Sequence, residues 1–262
     1  MNVSVGRWLI GLAVAVALLA SSETVMAQQG GQQQEQGPRI RALMVAGGCC
    51  HDYPVQGAIL MKAVQRTLPV DWTYAYLGGT NGQHIPAFYE NPDWYVGYDI
   101  VVHNECFTPP YASLPEGYLE NIAGATKAGI PAIVIHCAMH SFRDSPTDEW
   151  RDVQGLRSVR HGTPFNIPVR IAQPDHPVMQ GIPSDWVTPV DELYAIDWVR
   201  EGTVVLATAV ERADGSEYPL IWAHENQGAR VFGTTLGHGM ATWEDPVFQQ
   251  LLAQGFRWAV GR

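Results

Sequence analysis

The stretch PAIVIHCAMH, Pro131–His140, decides how the chain is read. Ala132 to Ile135 are small or branched apolar residues, the composition of a strand buried on both faces of a parallel sheet. A histidine, a cysteine and a second histidine follow at His136, Cys137 and His140. Packing alone does not call for two imidazoles and a thiol at the mouth of such a strand, so the reading turns on what the other strand ends carry.

Working outward, Ile40–Ala46 (IRALMVA) is another apolar run, closed by Gly47-Gly48. Within Val55–Leu68, residues Ile59, Leu60, Ala63, Val64 and Leu68 recur at helical spacing. Val70–Leu77 returns to strand, a loop rich in Gly, Asn and Pro follows, and Asp99–His103 (DIVVH) is a third strand. Ser113-Leu-Pro-Glu116 has the pattern of a capping box with proline in the first turn, and predicts the start of a helix carrying Leu119, Ile122 and Ala123. Strand and helix in alternation predict a parallel sheet with right-handed crossovers. Further on, Ile167–Ala172, Thr203–Ala209, Tyr218–Ala223 and Ala229–Thr235 read as strands. Asp245–Val260 reads as a final helix with Phe248, Leu251, Leu252, Gly255, Phe256 and Ala259 on one packing face.

The beginning of the chain reads as an address. Arg7 precedes an apolar run from Trp8 to Ala20, too short to span a bilayer comfortably, and Val25-Met26-Ala27 offers small residues for cleavage, so residues 1–27 are expected to be a secretory signal peptide. Residues 28–38, which include GGQQQEQG, have no apolar surface to bury and are expected to be a disordered linker. The remaining segment, 39–262, is long enough for one sizeable core. The net charge of −10 survives loss of the leader, which holds one Arg and one Glu. An acidic chain without Lys/Arg runs lacks the electrostatic footprint for nucleic acid, and after cleavage no membrane partner is expected. The 9 Trp and 10 Tyr fit core packing first and sugar-stacking platforms second.

In an open parallel sheet, ligands bind beyond the carboxyl ends of the strands, where loops from several strands share a crevice. Here those ends carry Gly47-Gly48-Cys49-Cys50-His51-Asp52, His103-Asn104-Glu105-Cys106 and His136-Cys137-Ala138-Met139-His140. All 4 cysteines and four of the 9 histidines fall on these three edges. A single strand-end histidine is more often a hydrogen-bonded structural residue than a catalyst, and a lone buried cysteine acts as a small apolar side chain. Three edges together point to one shared pocket. Cys49 and Cys50 are chain neighbours and are not expected to bond each other; a bridge is expected from one of them to Cys106 or Cys137.

These residues, with His161, PDHPVMQGIP, DELY (Asp191–Tyr194), YPLIWAHENQGARVF, LGHG (Leu236–Gly239) and FRWAVG, resemble the ThuA-like (trehalose utilisation) family. That resemblance implies a class I glutamine amidotransferase-like fold: α/β, flavodoxin-like, three layers around a mostly parallel sheet. It places His136 near the slot where the related amidotransferases present a nucleophilic cysteine, with Cys137 one residue later. Met139 and His140 stand where glycines would ease the sharp turn, so loss of the nucleophile is expected. Family context also implies carbohydrate catabolism, with a small-molecule sugar as partner.

Catalytic candidates are His136, His238, Glu105 and Glu192, and substrate-binding candidates are His51, Asp52, Cys137, His140 and His161. Several imidazoles with Glu105 and Glu192 supply general acid and base for isomerisation, elimination or hydrolysis. Glu192 reads almost equally as a carboxylate that holds its loop through backbone N–H groups. The cofactor is unknown. A divalent metal such as zinc is the candidate, with His51, His136 and His238 as ligands, although neither HExxH nor paired CxxC is present. The alternatives are a non-catalytic module that binds a sugar or small metabolite on a degenerate amidotransferase fold, and a cysteine hydrolase using Cys137 with His238. Trp150, beside Asp144, Asp148 and Arg151, is expected to cover the pocket. The protein is expected to be secreted into the periplasm, with homo-oligomerisation left open.

Overall fold

The computed structural model describes Met1 and residues 38–262. The leader and linker expectations, 1–27 and 28–38, lie outside the described residues apart from Met1 and Pro38. Strands β1 (Ile40–Gly48), β2 (Val70–Tyr76), β3 (Ile100–Cys106) and β4 (Ala132–Ile135) come first, with α1 (Tyr53–Gln65) after β1 and α2 (Tyr118–Lys127) after β3. A short α3 (Glu149–Gln154) leads into β5 (Leu156–His161), β6 (Phe165–Pro168), β7 (Arg170–Ile171), β8 (Val187–Asp191) and β9 (Tyr194–Val199). The chain closes with β10 (Val204–Val210), β11 (Glu217–Asn226), β12 (Ala229–Thr234), α4 (Met240–Glu244) and α5 (Pro246–Ala259).

Eight strands form one sheet in the order β2-β1-β3-β4-β12-β11-β10-β7. The first five run parallel and the last three extend the sheet antiparallel. Parallel order 2-1-3-4 followed by the last strand is the flavodoxin-like arrangement, with its topological switch beside β1. β3 and β4 are buried throughout because helices cover both faces, which is why they read as unbroken apolar runs. Ala42, Met44, Ile100, Val102, Ile133 and Ile135 pack toward α1 and α5. Leu43, Val45, Val101 and Val134 pack toward α2 and α3.

The predicted stripe on α5 is buried as a set: Phe248, Leu251, Leu252 and Phe256. Each such side chain contributes about 1.5–3 kcal/mol by leaving water. Asp245 caps this helix by accepting from the Val247 amide at 2.9 Å.

Three local expectations are corrected. α2 starts at Tyr118, not at Ser113: Tyr111–Ser113 make a separate single turn, and Gly117 at φ 74° redirects the chain into the helix. Ile167–Ala172 is not one strand. β6 pairs with β8 and β7 pairs with β10, and Pro168, which has no N–H to donate, stands at the break. Trp150 is not a pocket cover. It is 3% exposed on α3, donates its indole N–H to the Ala138 carbonyl at 3.1 Å, and packs its ring against His103.

Candidate functional site

Parallel strands deliver their following loops to one rim of the sheet, and three of those loops, with the link between two antiparallel strands outside the sheet, carry the site. His51 follows β1, His136 follows β4, His238 follows β12, and Glu192 lies between β8 and β9. The rings of His51 and His136 are 4.8 Å apart by centroid, His51 and His238 5.3 Å, and His136 and His238 5.6 Å. One ring nitrogen from each of the three lies within 4.8 Å of the others. Glu192, 8% exposed at its side chain, sets Oε2 3.6 Å from His136 Nε2 and Oε1 3.4 Å from His238 Nδ1.

Local geometry explains why His136 projects into this space. Its φ of 51° is in the left-handed region, which costs a non-glycine residue about 1–3 kcal/mol. The chain therefore makes the sharp strand-to-turn elbow without the glycines that the sequence reading asked for, and His136 stands at its apex. Gly237, at φ 132°, lets the β12 loop come close: a Cβ there would lie 3.1 Å from His136 Cβ.

Backbone carbonyls set the tautomers. His136 Nδ1–H donates to the Thr235 carbonyl at 2.7 Å and His51 Nδ1–H to the His238 carbonyl at 3.3 Å, leaving Nε2 of each ring with its lone pair. Burial, then His238, pushes His51 down to about 4. Burial, then His51, holds His136 well below the ordinary imidazole range. Both rings are therefore neutral donors at pH 7. His238 Nδ1 is buried and makes no hydrogen bond among the described residues. Burial pushes the Glu192 carboxyl up, against the pull of His161 and His238.

Around this centre, Tyr194 donates its hydroxyl to His136 Nε2 at 3.3 Å, and His161 stacks on Tyr194 with its Nδ1 3.3 Å from Glu192 Oε1. His161 and His238 have side chains 44% and 37% exposed, so the site opens to solvent on their side. Asp191 holds the LGHG loop by accepting from the amides of Gly237, at 3.1 Å, and His238, at 3.2 Å. A hollow of about 690 Å³ bordered by Arg66, Arg230, Arg257 and Arg262 lies away from this cluster, and among the described residues no histidine, aspartate or glutamate side chain lines it.

The structure brings His51, His136, His161, His238 and Glu192 together, sets Cys137 beside His51 and His140 behind the cluster, and places Glu105 and Asp52 elsewhere. Glu105 faces the α2–α3 layer, accepting from the Tyr89 hydroxyl at 2.8 Å and contacting His103 Nδ1 at 2.9 Å. Alternate residues of a strand face opposite sides, and 105 falls on the side away from the imidazoles. Asp52 caps α1 by accepting from the Val55 amide at 3.4 Å. His140 bonds Ser158 Oγ through Nδ1 and packs on Tyr194, at the back of the cluster. Cys137 is bonded to Cys106, which removes it as a nucleophile in this state.

The cysteine expectation is corrected as well: the pairs are Cys49–Cys50 and Cys106–Cys137. β3 and β4 are adjacent, so Cys106 and Cys137 meet with Cα atoms 5.1 Å apart, and Cys50 at φ 85° turns back on its neighbour. Asp191 and Tyr194 were missed as site residues, although both stand in the DELY motif beside Glu192.

Sheet order, the elbow after β4 and the polar rim define an α/β protein of the amidotransferase-like class. The profile of the ThuA family, described as trehalose utilisation, matches residues 96–259, and the chain belongs to that family. A ThuA-like protein from Parabacteroides merdae superimposes with TM-score 0.69 at 21% identity, over 86% of this chain and 91% of that one. A ThuA-like protein from Bacteroides uniformis gives TM-score 0.65 at 17% identity, over 85% and 91%. A cytoplasmic protein from Salmonella typhimurium gives 0.58 at 16%, over 84% and 99%. At these identities the likeness establishes the fold. No curated protein matches the chain.

Proposed function

We propose that the protein is a secreted enzyme of carbohydrate catabolism acting on a disaccharide or keto-sugar, with His51, His136 and His238 holding a divalent ion such as zinc and Glu192 moving the proton. Membership of a family described as trehalose utilisation supports the carbohydrate class. A leader pattern at 1–27 and two disulfides are features of chains bound for an oxidising compartment such as the periplasm.

The observation that carries the chemistry is the convergence of three imidazole nitrogens within 4.8 Å, two of them on rings that burial keeps neutral, beside a buried carboxylate. The donor set suits the ion: two of the rings are fixed by Nδ1–H bonds to carbonyls, and buried His238 Nδ1, with Glu192 Oε1 3.4 Å away, makes no hydrogen bond among the described residues. A bound divalent ion would polarise a sugar oxygen and acidify a coordinated hydroxyl or water. The chain supplies the rest. Glu192 accepts a proton at Oε1, and its raised pKa brings acid and base forms closer to neutral pH. His161, 3.3 Å from Oε1 and open to solvent, exchanges that proton with water. Tyr194, whose hydroxyl burial keeps protonated, donates to His136 Nε2 and would give up that bond where the lone pair turns to an ion.

The test measures metal content of the purified protein and turnover of keto-disaccharides before and after chelation. Expected are about one ion per chain, loss of turnover on chelation, and a fall in kcat of about 10²-fold or more for Glu192→Gln. Sugar binding with neither metal nor turnover would overturn the enzyme reading in favour of a binding module.

A further inference from the structure

Four sulfurs sit next to the imidazoles, and the acid–base reading uses none of them. Cys50 is exposed and Cys49 half-buried, whereas Cys106 and Cys137 are 4% and 8% exposed. The two disulfides touch: Cys49 Sγ is 3.8 Å from Cys106 Sγ. The sulfurs of Cys106 and Cys137 and one ring nitrogen of His51 lie within 4.8 Å of one another. A path of sulfur therefore runs from solvent to a buried dithiol position that already has an imidazole beside it.

We propose that Cys106, Cys137 and His51 form a soft-metal site that opens when the buried disulfide is reduced, and that the Cys49–Cys50 pair is the port through which an external dithiol reduces it. The external thiolate attacks Cys50 Sγ, breaking the Cys49–Cys50 bond and releasing Cys49 as thiolate. Its second thiol displaces Cys50, and the reductant leaves as a disulfide. Cys49 then attacks Cys106 Sγ; the Cys49–Cys106 bond forms and Cys137 departs as thiolate. Attack of Cys50 on Cys49 re-forms the vicinal disulfide and frees Cys106. Two electrons and two protons have passed from the external dithiol to the buried pair, and the port is restored.

Physical chemistry then favours an ion. Two thiolates in a site packed by Ala46 and Tyr53 are costly without a cation, and a soft divalent ion displaces both thiol protons while binding the imidazole lone pair. His51 belongs to both triads, so reduction draws it toward sulfur and away from His136 and His238.

The experiment uses Cd²⁺ as probe and its sulfur-to-metal charge-transfer absorbance, a signal that nitrogen ligands alone do not produce. The full chain is prepared oxidised, or reduced with dithiothreitol and freed of reductant without oxygen. The reduced protein is expected to bind Cd²⁺ with this band and the oxidised protein to show none. In Cys49→Ser/Cys50→Ser, whose remaining thiols are Cys106 and Cys137, the band is expected to persist once reduction is complete. Reduction itself is expected to be about tenfold slower or more in that variant. His51→Ala is expected to weaken Cd²⁺ binding by about tenfold or more, and His136→Ala/His238→Ala to keep the band, which separates this site from the three-histidine reading. Absence of the band in reduced protein, wild-type reduction rate in the double serine variant, or unchanged affinity in His51→Ala would each overturn the proposal.

Discussion

Replacing Asp191 with alanine asks whether one buried carboxyl positions the loop that carries His238. Its oxygens accept from three backbone amides: Glu192 at 2.8 Å, Gly237 at 3.1 Å and His238 at 3.2 Å. The residue is 0% exposed, so those amides have no ready substitute. A hydrogen bond to an ionised acceptor contributes about 1.5–3 kcal/mol, and a buried donor left without a partner costs about 1–3 kcal/mol. Three donors would then sum to more than the site loses, because water can enter the space left by the carboxyl and because burial, which pushes the Asp191 pKa up, already offsets part of the gain. The expected loss is about 3–5 kcal/mol, against a typical total of about 5–15 kcal/mol. Urea unfolding followed by circular dichroism should show a lower midpoint at unchanged slope. Asp191→Asn keeps one accepting oxygen and should lose about half as much. A loss under about 1 kcal/mol in the alanine variant would show that Asp191 does not hold the loop.

Stability of the chelator-treated protein is expected to fall as pH drops from 6.5 toward 5. Burial holds His51 at about 4, His140 at about 3 and His136 well below the ordinary value, so in this window the unfolded chain takes up protons that the folded chain refuses. Asp191 and Glu192, pushed up by burial, act in the opposite sense, two carboxyls against three imidazoles; a flat urea midpoint between pH 6.5 and 5 would contradict the buried neutral histidines. Gly48→Ala should destabilise by about 2 kcal/mol or more, since Gly48 has φ 91° and an added Cβ would overlap the Cys106 carbonyl; thermal unfolding within a degree of wild type would refute this. Trp150→Phe, which loses the bond to Ala138, should cost about 1 kcal/mol in urea and leave Zn²⁺ affinity unchanged. A large drop in metal affinity there would return Trp150 to the site.

Residues differ in how far their roles were legible. The strand end before His136 is legible because it is a local feature, and the resemblance to ThuA-like proteins is what implies that His136 stands near the elbow slot. Glu105 was misplaced by the same argument: the edge was right, but the alternation of β3 sends 105 to the α2–α3 side, with Tyr89 and His103. DELY marked Glu192, yet its partners His136, His161 and His238 come from chain segments whose proximity no spacing reveals. Asp191 and Tyr194 stood in the same four letters and were passed over, because a loop-holding carboxylate is recognisable only when the amides it accepts from are in view.

From the chain alone came the α/β class, the alternation of strand and helix that implies a parallel sheet, and the expectation that polar groups gather at one rim. Periodicity and turn residues act over a few positions, and the resemblance to ThuA-like proteins, which the family match bears out, rests on motifs in linear order. Tertiary structure decided which imidazoles meet, which carboxylate joins them and which sulfurs bond. Those outcomes depend on strand register, on Gly237 letting one loop approach another, and on the left-handed backbone at His136 and Cys50, all of which are settled by packing between segments up to 187 residues apart.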